Sequence, residues 1–209
     1  SVLLLWPLLA QSATYTVPSG SANNSSCSNI GTILYAVNNC ARNPGDIIDI
    51  RAGSYPEQLH GGINANWASG SSWSNPITIR GHAGERVVIN PSASGDFFDI
   101  IYVAPGQASF LSFENLEVTG ENLQMHQGGN IMRFEQDARV IGCLLRNHLP
   151  LDPYNGQPFP PHSDGVLAGP NVTVHNTEIH HTLYGIYLSK DNSMVENSYI
   201  HDTGGYGIH

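Results

Sequence analysis

From about residue 45 onward the chain is a series of short apolar runs broken by Gly, Asn, Pro and Ser, and no run after residue 41 carries a helical period. Before that point Ile30, Ile33, Leu34 and Val37 fall at helical spacing and predict a short helix over Ile30 to Asn39. The later runs repeat. Val174-His175-Asn176-Thr177-Glu178-Ile179-His180 matches Val195-Glu196-Asn197-Ser198-Tyr199-Ile200-His201 at a constant offset of 21. Phe113-Glu114-Asn115-Leu116-Glu117-Val118-Thr119 has the same shape, and Val140-Ile141-Gly142-Cys143-Leu144-Leu145-Arg146 fills the slot between. A second segment recurs as Gly165-Val166-Leu167-Ala168, Gly185-Ile186-Tyr187-Leu188 and Gly207-Ile208-His209.

A unit of this length, holding three strands too short to make a core alone, reads as one coil of a solenoid. Successive coils then stack as parallel strands about 4.8 Å apart, and equivalent residues pile into files. Val118, Leu145, Ile179 and Ile200 form one apolar file, while Asn115, Gly142, Asn176 and Asn197 share a turn position where stacked amides can bond from coil to coil. The competing reading is a β-sandwich whose repeats are coincidental.

Composition narrows the partners. Charged residues are 12% of the chain, against roughly 25% in ordinary soluble proteins. Glycine is abundant at 22 residues, which suits a turn-rich β fold. The formal net charge of −9 argues against nucleic acid, whose phosphates need a basic face. At 209 residues one domain is the default, and a monomer is the expected state.

The opening Ser1-Val2-Leu3-Leu4-Leu5-Trp6-Pro7-Leu8-Leu9-Ala10-Gln11-Ser12 is too short an apolar run to span a bilayer and ends in small residues. It reads as the remnant of a signal peptide over residues 1–12, the alternative being a hydrophobic first strand; residues 13–209 are then the exported domain, with no membrane contact expected. Cys27 and Cys40 flank the helical segment and are expected to form a disulfide in an oxidising compartment. Cys143 lies inside an apolar run and reads as a small core residue.

The stretch Asn43-Pro44-Gly45-Asp46-Ile47-Ile48-Asp49-Ile50-Arg51-Ala52-Gly53-Ser54-Tyr55, followed by Asn75-Pro76-Ile77-Thr78-Ile79-Arg80-Gly81, resembles the opening coils of the pectin-lyase-like superfamily, and most closely its chondroitinase-B-like and pectate-lyase-like members. The resemblance runs from residue 13 onward. It implies an all-β fold, a right-handed parallel β-helix with a short N-terminal capping helix, and a secreted protein acting on an acidic polysaccharide. It implies a substrate groove along the first strand of each coil. It does not choose among lyases, hydrolases, epimerases and adhesins. Because Gly207-Ile208-His209 begins a new coil, further C-terminal coils are expected.

The aligned first strands are Ile101-Tyr102-Val103, Met132-Arg133-Phe134, Val166-Leu167-Ala168, Ile186-Tyr187-Leu188 and Ile208-His209. Strand alternation sends their middle residues outward, giving a file of Tyr102, Arg133, Leu167, Tyr187 and His209. Tyrosines stack on sugar faces, an arginine grips a carboxylate and a histidine moves protons. Lyase chemistry on a uronic-acid polymer needs a base and a cation that neutralises the sugar carboxylate. Lys190, the lone lysine, sits in the turn after the Tyr187 strand and is the candidate base, with Arg133 as clamp and His209 as a further proton carrier. Tyr102, Tyr187, Tyr154 and Asp164 are the candidate substrate contacts, and the proline-rich stretch Asn147 to Ser163 is expected to wall the groove. Asp164, placed in a His162-Ser163-Asp164-Gly165 turn, and Asp202 are candidate calcium ligands, without a dense acidic cluster to fix a metal site. A second file, Arg146, His180 and His201 with His181 beside it, falls on the third strand, away from the groove. The alternatives to a lyase or epimerase are a glycoside hydrolase, whose acidic pair would lie partly in further coils, and a non-catalytic surface or carbohydrate-binding scaffold.

Overall fold

Strands of two to five residues bury a core here only by stacking. The computed structural model describes residues 12–19, 25–92, 99–121, 123, 129–146 and 163–209. Their strands form three parallel sheets that wrap one interior. Sheet I holds the first strands: Leu59–His60, Asp99–Val103, Asn130–Phe134, Asp164–Ala168 and Tyr184–Leu188. Sheet II runs Thr14–Val17, Ile47–Ile50, Ile77–Gly81, Leu111–Glu114, Ala138–Ile141, Thr173–His175 and Met194–Glu196. Sheet III runs Gly53–Tyr55, Val87–Ile89, Glu117–Thr119, Leu144–Arg146, Glu178–His180 and Tyr199–His201.

The register follows the repeat. Val118 pairs with Leu145, Leu145 with Ile179, and Ile179 with Ile200. The first three are fully buried, and Ile200 packs partly buried against the same core. Phe113 and Phe134, with ring centroids 5.1 Å apart, fill the middle of the interior. Each such side chain contributes about 1.5–3 kcal/mol through burial. The shared turn position works through the backbone. Asn115, Asn176 and Asn197 have φ of 52°, 48° and 48°, and Gly142 has 62°. That left-handed geometry suits Asn and Gly above other residues, so Gly142 continues the series it would interrupt as an amide ladder. The coil-to-coil bonds run from the backbone N–H groups of Asn115, Gly142 and Asn176 to carbonyls of the next coil.

At the N-terminal end, the helix is shorter than its apolar period predicts. It spans Ile33–Tyr35 and continues as a wider π turn over Ala36–Cys40. Ile30 instead belongs to a two-residue strand antiparallel to Ser25–Ser26. Thr32 sets the start, its hydroxyl accepting from the Tyr35 N–H at 3.0 Å. Glu57 accepts from the Ile33 and Leu34 N–H groups at 3.0 and 2.7 Å. Cys27 and Cys40 are disulfide-bonded with Cα atoms 5.4 Å apart, and Cys143 is free and buried.

Candidate functional site

The outward file of sheet I forms in the expected register. Tyr102 pairs with Arg133, Arg133 with Leu167, and Leu167 with Tyr187. A bridge between Ile186 and Ile208 brings His209 beside Tyr187, with ring centroids 4.8 Å apart. The Arg133 guanidinium lies over the Tyr102 ring at 4.9 Å, a cation–π contact, and donates to Glu135 through Nε at 2.8 Å and Nη2 at 2.6 Å. The file also begins one coil earlier than the sequence indicates. His60 pairs with Tyr102 and its ring sits 4.8 Å away.

A second file stands beside the first, and strand alternation alone does not reveal it. The ladder pairs Asn130 with Asp99 and Met132 with Ile101, passing over the residues between. Asp164 pairs with Tyr184 and Val166 with Ile186 in the same way. At the skipped position Ile100 and Ile131 are fully buried, as are their successors Ile101 and Met132. A Cβ on Gly165 or Gly185 would meet the core residues Ile179 or Ile200 at 2.4 and 2.3 Å. Two successive residues therefore face inward, the strand turns, and the residue before them comes round to the outer side. Asp99 accordingly places Oδ2 3.9 Å from both Arg133 Nη1 and His60 Nε2. The Tyr184 ring stacks on His209 at 5.3 Å and lies 6.3 Å from Tyr187. Tyr206 continues this file, stacked on Tyr184 at 5.9 Å.

The two files make one polar strip: Asp99, Asn130, Asp164, Tyr184 and Tyr206 alongside His60, Tyr102, Arg133, Leu167, Tyr187 and His209. Asp164 is the unusual member. It opens the strand Asp164–Ala168 rather than sitting in a turn, because the coil's strand starts one residue before the Gly165 bend. It is fully buried, and among the described residues neither carboxylate oxygen has a hydrogen bond of normal geometry. Burial, then the like charge of Asp99, pushes its pKa up to about 7, with the Ser163 N–H opposing only weakly. Asp99 is raised as well, by burial that outweighs the Asn130 hydrogen bonds and the nearby Arg133 and His60. Asn130 donates to Asp99 Oδ1 through Nδ2 at 2.6 Å and through its backbone at 3.0 Å. Burial holds the His60 pKa below its ordinary value.

The remaining candidates are spread out. Lys190 is exposed in the turn after Tyr184–Leu188, at the opposite end of the strand from the Asp164 position. Tyr154 and the wall segment up to residue 162 lie outside the described residues, as do residues 1–11 of the leader. The two candidate calcium ligands do not come together. Asp164 is on sheet I, whereas Asp202 follows the last strand of sheet III and accepts from His201 Nδ1 at 2.8 Å. Among the described residues no three His, Cys, Asp or Glu side chains assemble a metal set. This arrangement does not fit calcium through that pair. Neither His60 nor Asp99 belongs to the repeated motifs: Asp99 is legible only through the kinked register, and His60 lies on a strand too short to show a pattern.

Neither a family model nor a curated protein matches the sequence. Among solved structures, the crystal structure of pectate lyase Pel9A is similar, with a TM-score of 0.54 and 21% identity over 93% of this chain. The chain spans about half of that protein, 55% of its length. Among the described residues no helix is long and apolar enough to cross a membrane. Three parallel sheets in coil-by-coil register, a short N-terminal helix and this structural neighbour together make the chain a right-handed parallel β-helix of the pectin-lyase-like fold.

Proposed function

We propose that this chain belongs to an exported, polysaccharide-lyase-like enzyme that binds a uronic-acid polymer along the outer face of sheet I. The observation that carries the reading is the double file. It offers a cation (Arg133), flat aromatic faces (Tyr102, Tyr184, Tyr187 and His209) and a buried carboxyl (Asp164) on adjacent coils. A sugar carboxylate would meet Arg133 Nη1, the guanidinium nitrogen that Glu135 leaves free of a short bond. Neutralising that carboxylate acidifies the adjacent C–H, the requirement for β-elimination. Lys190 is the proposed base at the rim, with His209 as an alternative on the floor. The likeness to a pectate lyase favours an acidic polysaccharide. The Cys27–Cys40 disulfide and the leader-like residues 1–12 favour export.

The test is incubation of the protein with pectate, alginate and glycosaminoglycans while the ultraviolet absorbance of unsaturated uronate ends is followed. Arg133→Ala and Lys190→Ala should each lower the rate by about 10² or more, and Glu196→Gln, on sheet II, should not. A rate unchanged in both groove variants would place the chemistry elsewhere.

One observation favours a second reading. Asp99 and Asp164 stand two strands apart, about 9.6 Å at the backbone from the strand spacing. Inverting glycosidases hold their two carboxyl groups about 6.5–9.5 Å apart, one of them with a raised pKa as general acid. In that reading Asp164 protonates the leaving oxygen and Asp99 activates water, and the pair lies within this chain rather than in further coils. New reducing ends without ultraviolet absorbance would select the hydrolase. Binding without any product would select a scaffold.

A further inference from the structure

Sheet III carries a second cluster that the groove does not use. Arg146, His180 and His201 stand in register on successive coils. The His180 and His201 rings stack at 5.0 Å, and Tyr199 stacks on His201 at 4.4 Å. His181 follows in the turn with φ of 53°, the position that Asp202 fills in the next coil with φ of 49°. Histidine, like asparagine and aspartate, is among the residues that enter this left-handed backbone region, and His181 stands there beside His180. His180 Nδ1 and His181 Nδ1 are 2.6 Å apart. Only one of these atoms can carry a proton in that contact, so the other presents a lone pair to it.

We infer that His180 and His181 form a chelating site for a tetragonal divalent ion, Cu(II) or Ni(II). The contact already holds two imidazole nitrogens together, and turning both rings off the shared axis lets them converge on one ion. Among divalent ions, imidazole sites favour Cu(II) and then Ni(II), and tetragonal coordination leaves the remaining positions to water. On binding, the proton between the rings moves to an Nε2 atom, and both imidazoles ligate as neutral donors. Asp202 supplies one anion; its backbone carbonyl accepts from the His181 N–H at 3.1 Å, and its carboxylate rests on His201. Glu178 adds a second negative charge beside the stack, and Arg146 opposes it from the preceding coil. Among the described residues no third side chain converges on the pair, so the remaining positions fall to water and to a turned Asp202 carboxylate.

The experiment uses the tag-free full chain titrated with CuCl₂, NiCl₂ and ZnCl₂ by calorimetry, with electron paramagnetic resonance of the Cu(II) sample. One equivalent of Cu(II) should bind at least about tenfold more tightly than Zn(II), with coupling to two imidazole nitrogens. His181→Asn keeps a residue type that tolerates the left-handed backbone, so the fold survives while one ligand is removed. It should weaken Cu(II) binding at least about tenfold and drop the coupling to one nitrogen. His175→Ala, on sheet II, should change neither. Zinc binding as tight as copper, or His181→Asn retaining wild-type affinity and a two-nitrogen spectrum, overturns the assignment.

Discussion

Replacing Asp164 with Asn should make the protein more stable at neutral pH and, in the hydrolase reading proposed above, remove its general acid. The carboxyl is buried, without a hydrogen bond of normal geometry among the described residues, and its pKa is pushed from 3.8 to about 7. Between those two values the folded chain holds a proton that the unfolded chain has released. Stability therefore falls as pH rises through this window and levels off above it. A shift of about three units at about 1.36 kcal/mol each amounts to about 4 kcal/mol at pH 8, and to almost nothing at pH 4. Asparagine removes the charge but leaves a buried amide unsatisfied, which costs roughly 1–3 kcal/mol at every pH. The variant should thus be more stable than wild type by about 2 kcal/mol at pH 8 and less stable near pH 4. Urea unfolding of both proteins at several pH values, with EDTA present to keep divalent ions out of the measurement, gives the difference directly. A difference that stays constant across the range would refute the shifted carboxyl. A variant that gains stability and keeps full activity would remove Asp164 from the chemistry.

Three further outcomes follow from the packing and the thiols. Gly185→Ala sets a methyl 2.3 Å from Ile200 Cγ2 and 2.4 Å from the Gly207 carbonyl, and should destabilise by about 1–3 kcal/mol in thermal or urea unfolding. Removing the Cys27–Cys40 crosslink, which closes a separation of 13 residues, should lower stability by about 3 kcal/mol, measured as the difference between oxidised and Cys27→Ser/Cys40→Ser protein. Burial raises the Cys143 thiol to about 12, so it should resist thiol-specific reagents in the native state and react at once in denaturant.

The periodic part of this fold was readable from the amino acids because stacking makes register and repeat the same quantity. The offset of 21 reappears as hydrogen bonds from Val172 to Ser193 and from Thr177 to Ser198. The outward file of Tyr102, Arg133, Leu167, Tyr187 and His209 needed only that offset and the alternation of a strand. The second file escaped because alternation fails at the bend, where Ile100 and Ile101 both turn inward. Asp164 therefore read as a turn residue, and Asp99 was not distinguished from any other acidic side chain. His60 escaped for a different reason: its strand, Leu59–His60, is too short to show a pattern. The helix was found but overextended, since the apolar spacing marks buried positions and not where Thr32 caps the turn.

The bend in sheet I also divides the coils into two kinds. Where the inward residue is Ile100 or Ile131, the corresponding core positions of sheet III are Val118 and Leu145; where it is Gly165 or Gly185, they are Ile179 and Ile200. The hydrogen-bond ladder is indifferent to this, but the interior volume is not. Drift at one of these sites is therefore tied to drift at the other, and a glycine lost from a lineage should be accompanied opposite by a smaller residue, as at Val118, or a differently branched one, as at Leu145. Coils duplicated or recombined across the boundary would keep perfect strand pairing and still misfit inside. Among descendants of such an array, the inherited unit is the matched pair of positions, not the single repeat.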